Sequence, residues 1–275
     1  MISKRILTAA VGIPLIVYII GFGGASLFFI VVLAALMIGL WEFFNMALPG
    51  ASRTTSGLGL VLGGVICASA YYDSGMAGPA RLSMLPGACA LSFAALFWHH
   101  MSRHAVQVHE ASALAMAQFC GLMYIPFLGS YLILVRGRPD GVPLIFLMVL
   151  VTWAGDTAAF AIGSRFGKHR LSRRISPNKT IEGALASFAG GVLTALVFTL
   201  LYFQSLSLAH CLIIGFGLNI MNQFGDLCES FIKRACNVKD SGRLVPGHGG
   251  VLDRIDSLLF AAPFLFYYAN WALPV

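Results

Sequence analysis

Nine long apolar runs follow one another along the chain, and they constrain its fold more than any other feature. A helix needs about 20 mostly apolar residues to cross the hydrocarbon core of a bilayer. Runs near that length occur at 6–21, 26–47, 57–72, 83–99, 111–135, 142–164, 181–203, 209–228 and 255–273. Only 11% of the 275 residues are charged, against about 25% in a soluble domain. The sequence predicts an all-α polytopic integral membrane protein with about nine transmembrane helices, and it excludes a soluble enzyme, a disordered chain or a disulfide-stapled secreted domain.

The distribution of lysine and arginine predicts the orientation of these spans. With an odd number of spans and a cytoplasmic N-terminus, the segments 1–5, 48–56, 100–110, 165–180 and 229–254 lie inside and hold 15 of the 18 basic residues. Cytoplasmic loops carry an excess of Lys and Arg, so this distribution favours a cytoplasmic N-terminus. Topology, anionic lipid and phosphate ligands then explain the net charge of +7, and we expect no nucleic-acid partner.

Polar residues are concentrated in the second half of the chain. Seven of the eleven acidic residues and eleven of the eighteen basic ones lie between 156 and 256. No internal repeat separates the halves, so we expect a single membrane domain over 1–275, with mainly scaffold spans in 1–150 and catalytic spans and cytoplasmic loops in 151–275. The six cysteines are scattered and form no CxxC pair, which indicates neither disulfides nor a zinc site.

Two aspartates lie in or beside apolar runs. Carboxylates at such depth are costly and usually face a functional cavity. Asp226 has Asn219, Asn222 and Gln223 within two helical turns, and we expect it to be functional. Asp156 has the same expectation with fewer polar neighbours, the alternative for both being an interfacial acid that only touches water.

The longest polar segment, 229–256, has the composition of a phosphate- and metal-binding loop. Its glycines can point backbone N–H groups at an anion, and it runs into a helix N-terminus, which also favours anions. Asp253 and Asp256 share a helical face at spacing i, i+3, and such carboxylates with substrate phosphates suit Mg²⁺. The segment also supplies cations for phosphates, namely Lys233, Arg234, Lys239, Arg243 and Arg254.

A second basic loop covers 165–184. Ser176-Pro177 is a turn start and Lys179 an amine suited to phosphate, while Thr180 is a plausible N-cap for the next span. Glu182 then falls in the first helical turn, where the dipole favours an acid. Arg170, Arg173 and Arg174 are read as topology signals or lipid contacts.

These motifs together resemble the phosphatidate cytidylyltransferase (CDP-diglyceride synthase) family. The resemblance is carried by SFIKR at 230–234, KDSG at 239–242 and PGHGGVLDRID at 246–256, with support from GDLCES at 225–230, SPNKTIEG at 176–183 and WAGDTAAFAIGSRFGKHR at 153–170. It covers the last 120 residues or so, while the first 150 add only compatible hydropathy.

The resemblance implies an inner-membrane enzyme, a homodimer, that converts phosphatidate and CTP to CDP-diacylglycerol and pyrophosphate at a site facing the cytoplasm. Asp226 and Asp253, with Asp256 beside them, correspond to the family's metal-binding acids, and we expect Mg²⁺ with room for a second cation. Asp226, Asp253, Lys239 and Arg254 are then the expected catalytic residues. The expected substrate-binding residues are Ser176, Lys179, Lys233, Arg234, His248, Gly249 and Gly250.

Two other functions are compatible with parts of the sequence. A CTP-dependent kinase of a lipid alcohol would share the membrane frame but would need a base to activate a neutral hydroxyl. A cation-coupled transporter would place its ionisable groups near mid-membrane, often with repeat symmetry. The sequence contains no GxxxxGK[ST] loop, no GxGxxG after a strand and no CDP-alcohol phosphotransferase pattern.

Overall fold

The computed structural model describes residues 2–50, 52–75, 83–102, 106–245 and 249–273, with side chains from residue 10 onward. The chain divides into two compact units. The first, here the N-terminal unit, comprises Met1–Gly137 and Asp240–Arg254, and the second, the C-terminal unit, comprises Arg138–Lys239 and Ile255–Val275. The loop that carries Asp253 thus belongs with the first spans of the sequence, although it lies far from them along the chain.

The N-terminal unit is a set of packed helices. Its helices are α1 (Ile2–Gly21), α2 (Gly24–Ala47), α3 (Arg53–Asp73), α4 (Leu85–Met101), α5 (Val108–Leu122) and α6 (Leu128–Arg136). Large apolar side chains that are fully buried form its core, among them Leu36, Leu40, Phe44, Ile66, Leu96, Leu122 and Ile133. Between α5 and α6 the chain forms a π-helical turn, Met123–Phe127, around Pro126, because proline lacks the N–H that the α-helical ladder requires there.

The C-terminal unit consists of four helices and a short hairpin. They are α7 (Gly141–Phe166), β1 (Arg170–Ser172), β2 (Ser176–Thr180), α8 (Ile181–Tyr202), α9 (Leu208–Ala235) and α10 (Leu252–Ala272), of which Leu252–Arg254 are assigned to the N-terminal unit. Small residues let α7 and α8 approach closely. A Cβ at Gly190 would lie 2.8 Å from the Cβ of Ala158, and one at Gly183 would lie 3.0 Å from the carbonyl oxygen of Ala159. Such contacts between small residues are typical of helix packing in membranes.

Each predicted span coincides with helical structure, so the chain is a helical, multi-pass membrane protein. Within the described ranges, six helices are long and apolar enough to cross a bilayer: Gly24–Ala47, Arg53–Asp73, Val108–Arg136, Gly141–Phe166, Ile181–Tyr202 and Leu208–Ala235. Helix α4, with 17 residues, is shorter than each of these six helices. The count of nine spans and the orientation of the N-terminus stay predictions.

Two expectations about the polar segments need correction. Helix α9 continues past residue 228 to Ala235, so Glu229 to Arg234 are helical rather than part of a loop. The buried Glu229 forms an i, i+4 ion pair with Lys233, which favours that extension. The basic loop also contains the antiparallel pair β1–β2, with Arg170 opposite Thr180 and Ser172 opposite Ser176.

Candidate functional site

Lys179 and Asp226 face each other in the C-terminal unit. Lys179 lies on β2 and Asp226 on α9, and their side chains form an ion pair. Both groups keep partial access to solvent, with side chains 26% and 38% exposed. The Ser230 hydroxyl, one turn along α9, lies 3.5 Å from Oδ1 of Asp226. Two predicted site residues from distant parts of the chain are therefore in direct contact.

A cavity of about 680 Å³ adjoins this ion pair. Its walls come from α7, the hairpin, α8 and α9. Its polar lining consists of Thr152, Asp156, Ser164, Arg170, Asn178, Lys179, Thr180, Ser187, Asn222, Gln223 and Asp226. Phe160 and Leu171 contribute an apolar side. A pocket with convergent charges and amides beside apolar surface is the usual form of a small-molecule site. Asp156, which the sequence analysis also expects to be functional, is part of the same cavity.

The hairpin holds Lys179 at this cavity through backbone contacts at both ends. The guanidinium of Arg170 donates to the carbonyl oxygen of Pro177 at 2.6 Å, and Arg234 of α9 donates to that of Ile175 at 3.4 Å. Ile181 N–H donates to the carbonyl oxygen of His169 at 2.9 Å. Arg170 and Arg234 thus shape the loop, a role that their basic character alone did not reveal.

The start of α8 fixes the other side of the hairpin. Thr180 is the N-cap, as predicted, and its hydroxyl oxygen accepts from Gly183 N–H at 3.1 Å. Glu182 lies in the first turn, also as predicted, and accepts from the amides of Lys168 and His169 at 3.1 and 3.3 Å. Its carboxylate also lies 2.7 Å from Nδ1 of His169. The SPNKTIEG motif therefore builds a hydrogen-bonded turn that presents Lys179.

Buried amides connect the cavity floor to the neighbouring helices. Asn222 donates from Nδ2 to the hydroxyl oxygen of Thr152 at 2.8 Å, and this hydroxyl donates in turn to the Met148 carbonyl at 2.9 Å. That chain of donors fixes the orientation of the Asn222 amide. Its Oδ1 is buried with no hydrogen-bond partner among the residues that the structure describes. One turn earlier on α9, the side-chain oxygen of Asn219 accepts from the Ser187 hydroxyl at 3.3 Å.

A buried acidic group lies next to Asp226. Glu229 and Asp256 are 1% and 8% exposed, and Asp256 interacts electrostatically with Asp226. Lys233 Nζ lies 2.7 Å from Oε2 of Glu229. Lys233, predicted to bind substrate, is thus held by a buried acid in this structure.

The predicted phosphate loop belongs to the N-terminal unit and surrounds Asp253. Oδ2 of Asp253 accepts from the amides of Ser241 and Gly250 at 3.1 and 2.8 Å and lies 3.0 Å from the Ser241 hydroxyl. Gly249 has a φ of +84°, which requires glycine. The loop amides do point at an anion, as the glycine pattern predicts, but that anion is a carboxylate of the protein. Substrate contacts of Gly249 and Gly250 stay predictions.

The remaining predicted residues are dispersed. Lys239, Arg243 and Arg254 are exposed cations, and Ser176 is half-buried at the start of β2. His248 lies outside the described residues.

No three His, Cys, Asp or Glu side chains form a preformed metal cage in the described ranges. Mg²⁺ usually binds proteins through one or two carboxylates, with substrate phosphates and water completing its shell. The partly exposed carboxylate of Asp226 beside the cavity fits that mode.

One residue of this region was not predicted. Glu42 is 1% exposed on α2 and contacts the Asp253 loop through hydrogen bonds from Val251 and Leu252. The first 150 residues were interpreted as scaffold, so its carboxylate was passed over. The signal was present, because an acid within an apolar run is the same feature that drew attention to Asp156.

Comparison with known proteins gives one consistent result. A family profile described as the cytidylyltransferase family matches residues 3–272. The phosphatidate cytidylyltransferase of Staphylococcus haemolyticus is 35% identical over 272 residues, covering 95% of this chain and 96% of that protein. The proteins of the same name from Staphylococcus aureus and Staphylococcus epidermidis are 35% and 34% identical over 273 and 268 residues, with the same coverage. The chain belongs to the cytidylyltransferase family.

Proposed function

We propose that the protein transfers the cytidylyl group of CTP to phosphatidate, giving CDP-diacylglycerol and pyrophosphate for phospholipid biosynthesis. The names of the relatives, which match over nearly their full length, support this reaction. The observation on the molecule that carries it is the cavity of the C-terminal unit, where Lys179 and Asp226 form an ion pair beside Asn222 and an apolar wall. A cation and a carboxylate in one polar cavity suit a phosphate ester and its counter-ion.

The chemistry requires two polyanions to meet. A phosphate oxygen of phosphatidate attacks the α-phosphorus of CTP, a new P–O bond forms, and the bond from that phosphorus to the β-phosphate oxygen breaks to release pyrophosphate. The nucleophile is already an anion near neutral pH, so the protein needs to align and neutralise charge rather than to remove a proton. In this proposal Lys179, Lys239 and Arg254 screen the phosphates.

Mg²⁺ is the proposed cofactor, held by Asp226 and Asp253 with Asp256 beside them, and a second cation is compatible with these acids. When bound, it would neutralise phosphate oxygens and make the α-phosphorus more electrophilic. The protein's own part is to hold the carboxylates in place. Ser230 next to Asp226 and Ser241 next to Asp253 support that part.

The proposed setting is the inner (plasma) membrane of a bacterium, with the N-terminus and the active site facing the cytoplasm. Fifteen of eighteen basic residues fall in segments that this orientation places inside, and CTP is a cytoplasmic nucleotide. The acyl chains of phosphatidate would stay in the lipid. We also propose a homodimer with nine spans per chain, which crosslinking in native membranes would test.

The deciding experiment uses purified protein in detergent with Mg²⁺, phosphatidate and α-labelled CTP, followed by extraction of the lipid phase. Label in the lipid from the wild type, and its loss in Asp226→Asn, would support the transferase. If label from γ-labelled CTP reached a lipid alcohol instead, the protein would be a lipid kinase. Absence of both reactions would contradict the proposal and return attention to transport.

A further inference from the structure

Glu42 is a buried carboxylate for which the proposed reaction has so far provided no role. It lies in the apolar sequence LWEFF near the end of α2 and is 1% exposed. A buried charge is costly unless hydrogen bonds and charge complementarity compensate for its lost hydration. Its partners therefore indicate what it does.

Those partners are the backbone amides at the start of α10. Oε1 of Glu42 accepts from Val251 N–H at 3.1 Å, and Oε2 accepts from Leu252 N–H at 2.9 Å. Helix α10 begins at Leu252, and amides at a helix N-terminus have no partner within the helix. A carboxylate there also interacts favourably with the helix dipole. Glu42 thus acts as an N-cap supplied by a distant helix.

Ser241 connects this cap to Asp253. Its hydroxyl oxygen lies 3.3 Å from Oε2 of Glu42 and 3.0 Å from Oδ2 of Asp253. Both neighbours are acceptors, so the single hydroxyl proton is shared between two carboxylates. Moving Glu42 would therefore release the helix start and also alter the contact that holds Asp253.

The glycines of the loop fit the same interpretation. A Cβ added at Gly250 would lie 2.7 Å from Oε1 of Glu42, and one at Gly242 would lie 2.7 Å from its carboxyl carbon. Real Cβ atoms essentially never come that close. Two glycines of the motif therefore lie directly against the carboxyl group of Glu42, and a side chain at either position would displace it.

We infer that Glu42 is a positioning residue for the transfer reaction, holding Ser241 and the segment 249–252 in the conformation that presents Asp253. This inference rests on the proposed function and extends it to a residue of the N-terminal spans. It acts through Ser241 and the start of α10 rather than by contact with substrate.

Hydrogen–deuterium exchange tests the contact itself, on the full protein in detergent without metal or substrate. Glu42→Gln keeps the size of the side chain but removes its charge and places an NH₂ donor against backbone donors. We expect exchange at Val251 and Leu252 to become about tenfold faster or more, since each loses a hydrogen bond to a charged acceptor. Gln118→Met is the matched control, since Gln118 is buried in the same unit and bonds to His100 and Thr55 instead. Unchanged exchange in Glu42→Gln, or an equal rise in the control, would overturn the inference.

The dependence of activity on Mg²⁺ tests the positioning. Partners that orient a metal ligand typically contribute about 10- to 100-fold to metal affinity, so we expect Glu42→Gln to raise the half-saturating Mg²⁺ concentration and to recover part of its activity at high Mg²⁺. Gln118→Met should keep the wild-type half-saturation point even if its total activity falls. The same half-saturation point in Glu42→Gln as in the control would overturn the role.

A second variant and the wild-type activity separate the possible outcomes. If Glu42→Gln fails to accumulate, Ser241→Ala removes only the shared hydroxyl, and we expect a smaller shift of the Mg²⁺ dependence in the same direction. No shift in Ser241→Ala would then overturn the inference. The activity of the wild type in the same assay tests the proposed function separately. If the wild type is active and the variants have the same Mg²⁺ dependence, only the positioning role of Glu42 is contradicted.

Discussion

Lys179 on β2 and Asp226 on α9 form an ion pair although 46 residues separate them in sequence. The hairpin and the capped start of α8 fix the lysine, and an uninterrupted helix fixes the aspartate. Each belongs to a different motif, SPNKTIEG and GDLCES. The two motifs therefore contribute opposite charges to one cavity.

Replacing Lys179 with Gln should reduce cytidylyl transfer by about 10²-fold, because the cavity then lacks the charge that screens a phosphate. The measurement is initial rate against CTP concentration in detergent. Lys168→Gln is the matched control, since it removes the same charge from an exposed position in the same loop that does not line the cavity. We expect less than about twofold change in that control. Equal losses in both variants would mean that only the net charge of the loop matters.

Asp253→Asn should abolish transfer, by about 10³-fold or more, while leaving the protein folded. An asparagine oxygen can still accept from the amides of Ser241 and Gly250, so the loop should keep its shape while the charge is lost. Asp240→Asn is the control, because Asp240 is an exposed acid in the same loop. The check is label transfer to lipid together with a thermal unfolding curve for each variant. Near-normal activity of Asp253→Asn would remove it from the catalytic residues.

The sequence predicted the helices well because each apolar run has to be long enough to cross a bilayer. It also predicted the N-cap at Thr180 and the first-turn position of Glu182 correctly, since capping and charge placement depend on neighbours in sequence. The roles of Asp226 and Lys179 stay predictions. Helix α9 extends beyond its predicted end because Glu229 and Lys233 pair across one turn. Apolarity alone could not indicate that continuation.

Contacts between residues far apart in the chain could not be predicted from the sequence. Nothing in the sequence around Glu42 indicates that it caps a helix more than 200 residues away. The glycine pattern of the loop was interpreted as a set of backbone N–H groups that point at a bound anion. In the structure, the amide of Gly250 donates to Asp253 instead, and the amides of Val251 and Leu252 donate to Glu42. Similarly, Arg234 was predicted to bind substrate because a guanidinium group suits phosphate. In the structure it donates to the carbonyl oxygens of Ile175 and Val238.

Gly225 should not tolerate a side chain. A Cβ there would lie 2.6 Å from the carbonyl oxygen of Asp256 and 3.1 Å from Cα of Ser257, and backbone atoms of a packed helix cannot move aside cheaply. We expect Gly225→Ala to destabilise the protein by about 1–3 kcal/mol and to lower activity through the adjacent Asp226.

The matched control for that substitution is Gly64→Ala on α3. A Cβ at Gly64 meets nothing within 4 Å, and alanine is the better helix former by about 1 kcal/mol. We expect unchanged or slightly raised stability in reversible denaturation with a mixed detergent. Equal stabilities of the two variants would show that α9 and α10 can separate at no cost.

Thr152 and Thr157 on α7 offer a comparison of one chemical change in two environments. Both hydroxyls donate to the carbonyl four residues earlier, at 2.9 and 2.7 Å. Only Thr152 is buried and accepts from Asn222, whereas Thr157 is exposed. Thr152→Val would leave the Asn222 amide without its acceptor, which costs about 1–3 kcal/mol when the group is buried.

Thr157→Val should change the free energy of unfolding by less than about 0.5 kcal/mol, since it loses only a local bond on an exposed face. The same detergent denaturation measures both variants. Because Asn222 lines the cavity, Thr152→Val should also raise the KM for CTP if that cavity binds the nucleotide, while Thr157→Val should not. A loss of stability in Thr152→Val with an unchanged KM would limit the Thr152–Asn222 contact to holding α7 against α9 and would place the nucleotide elsewhere.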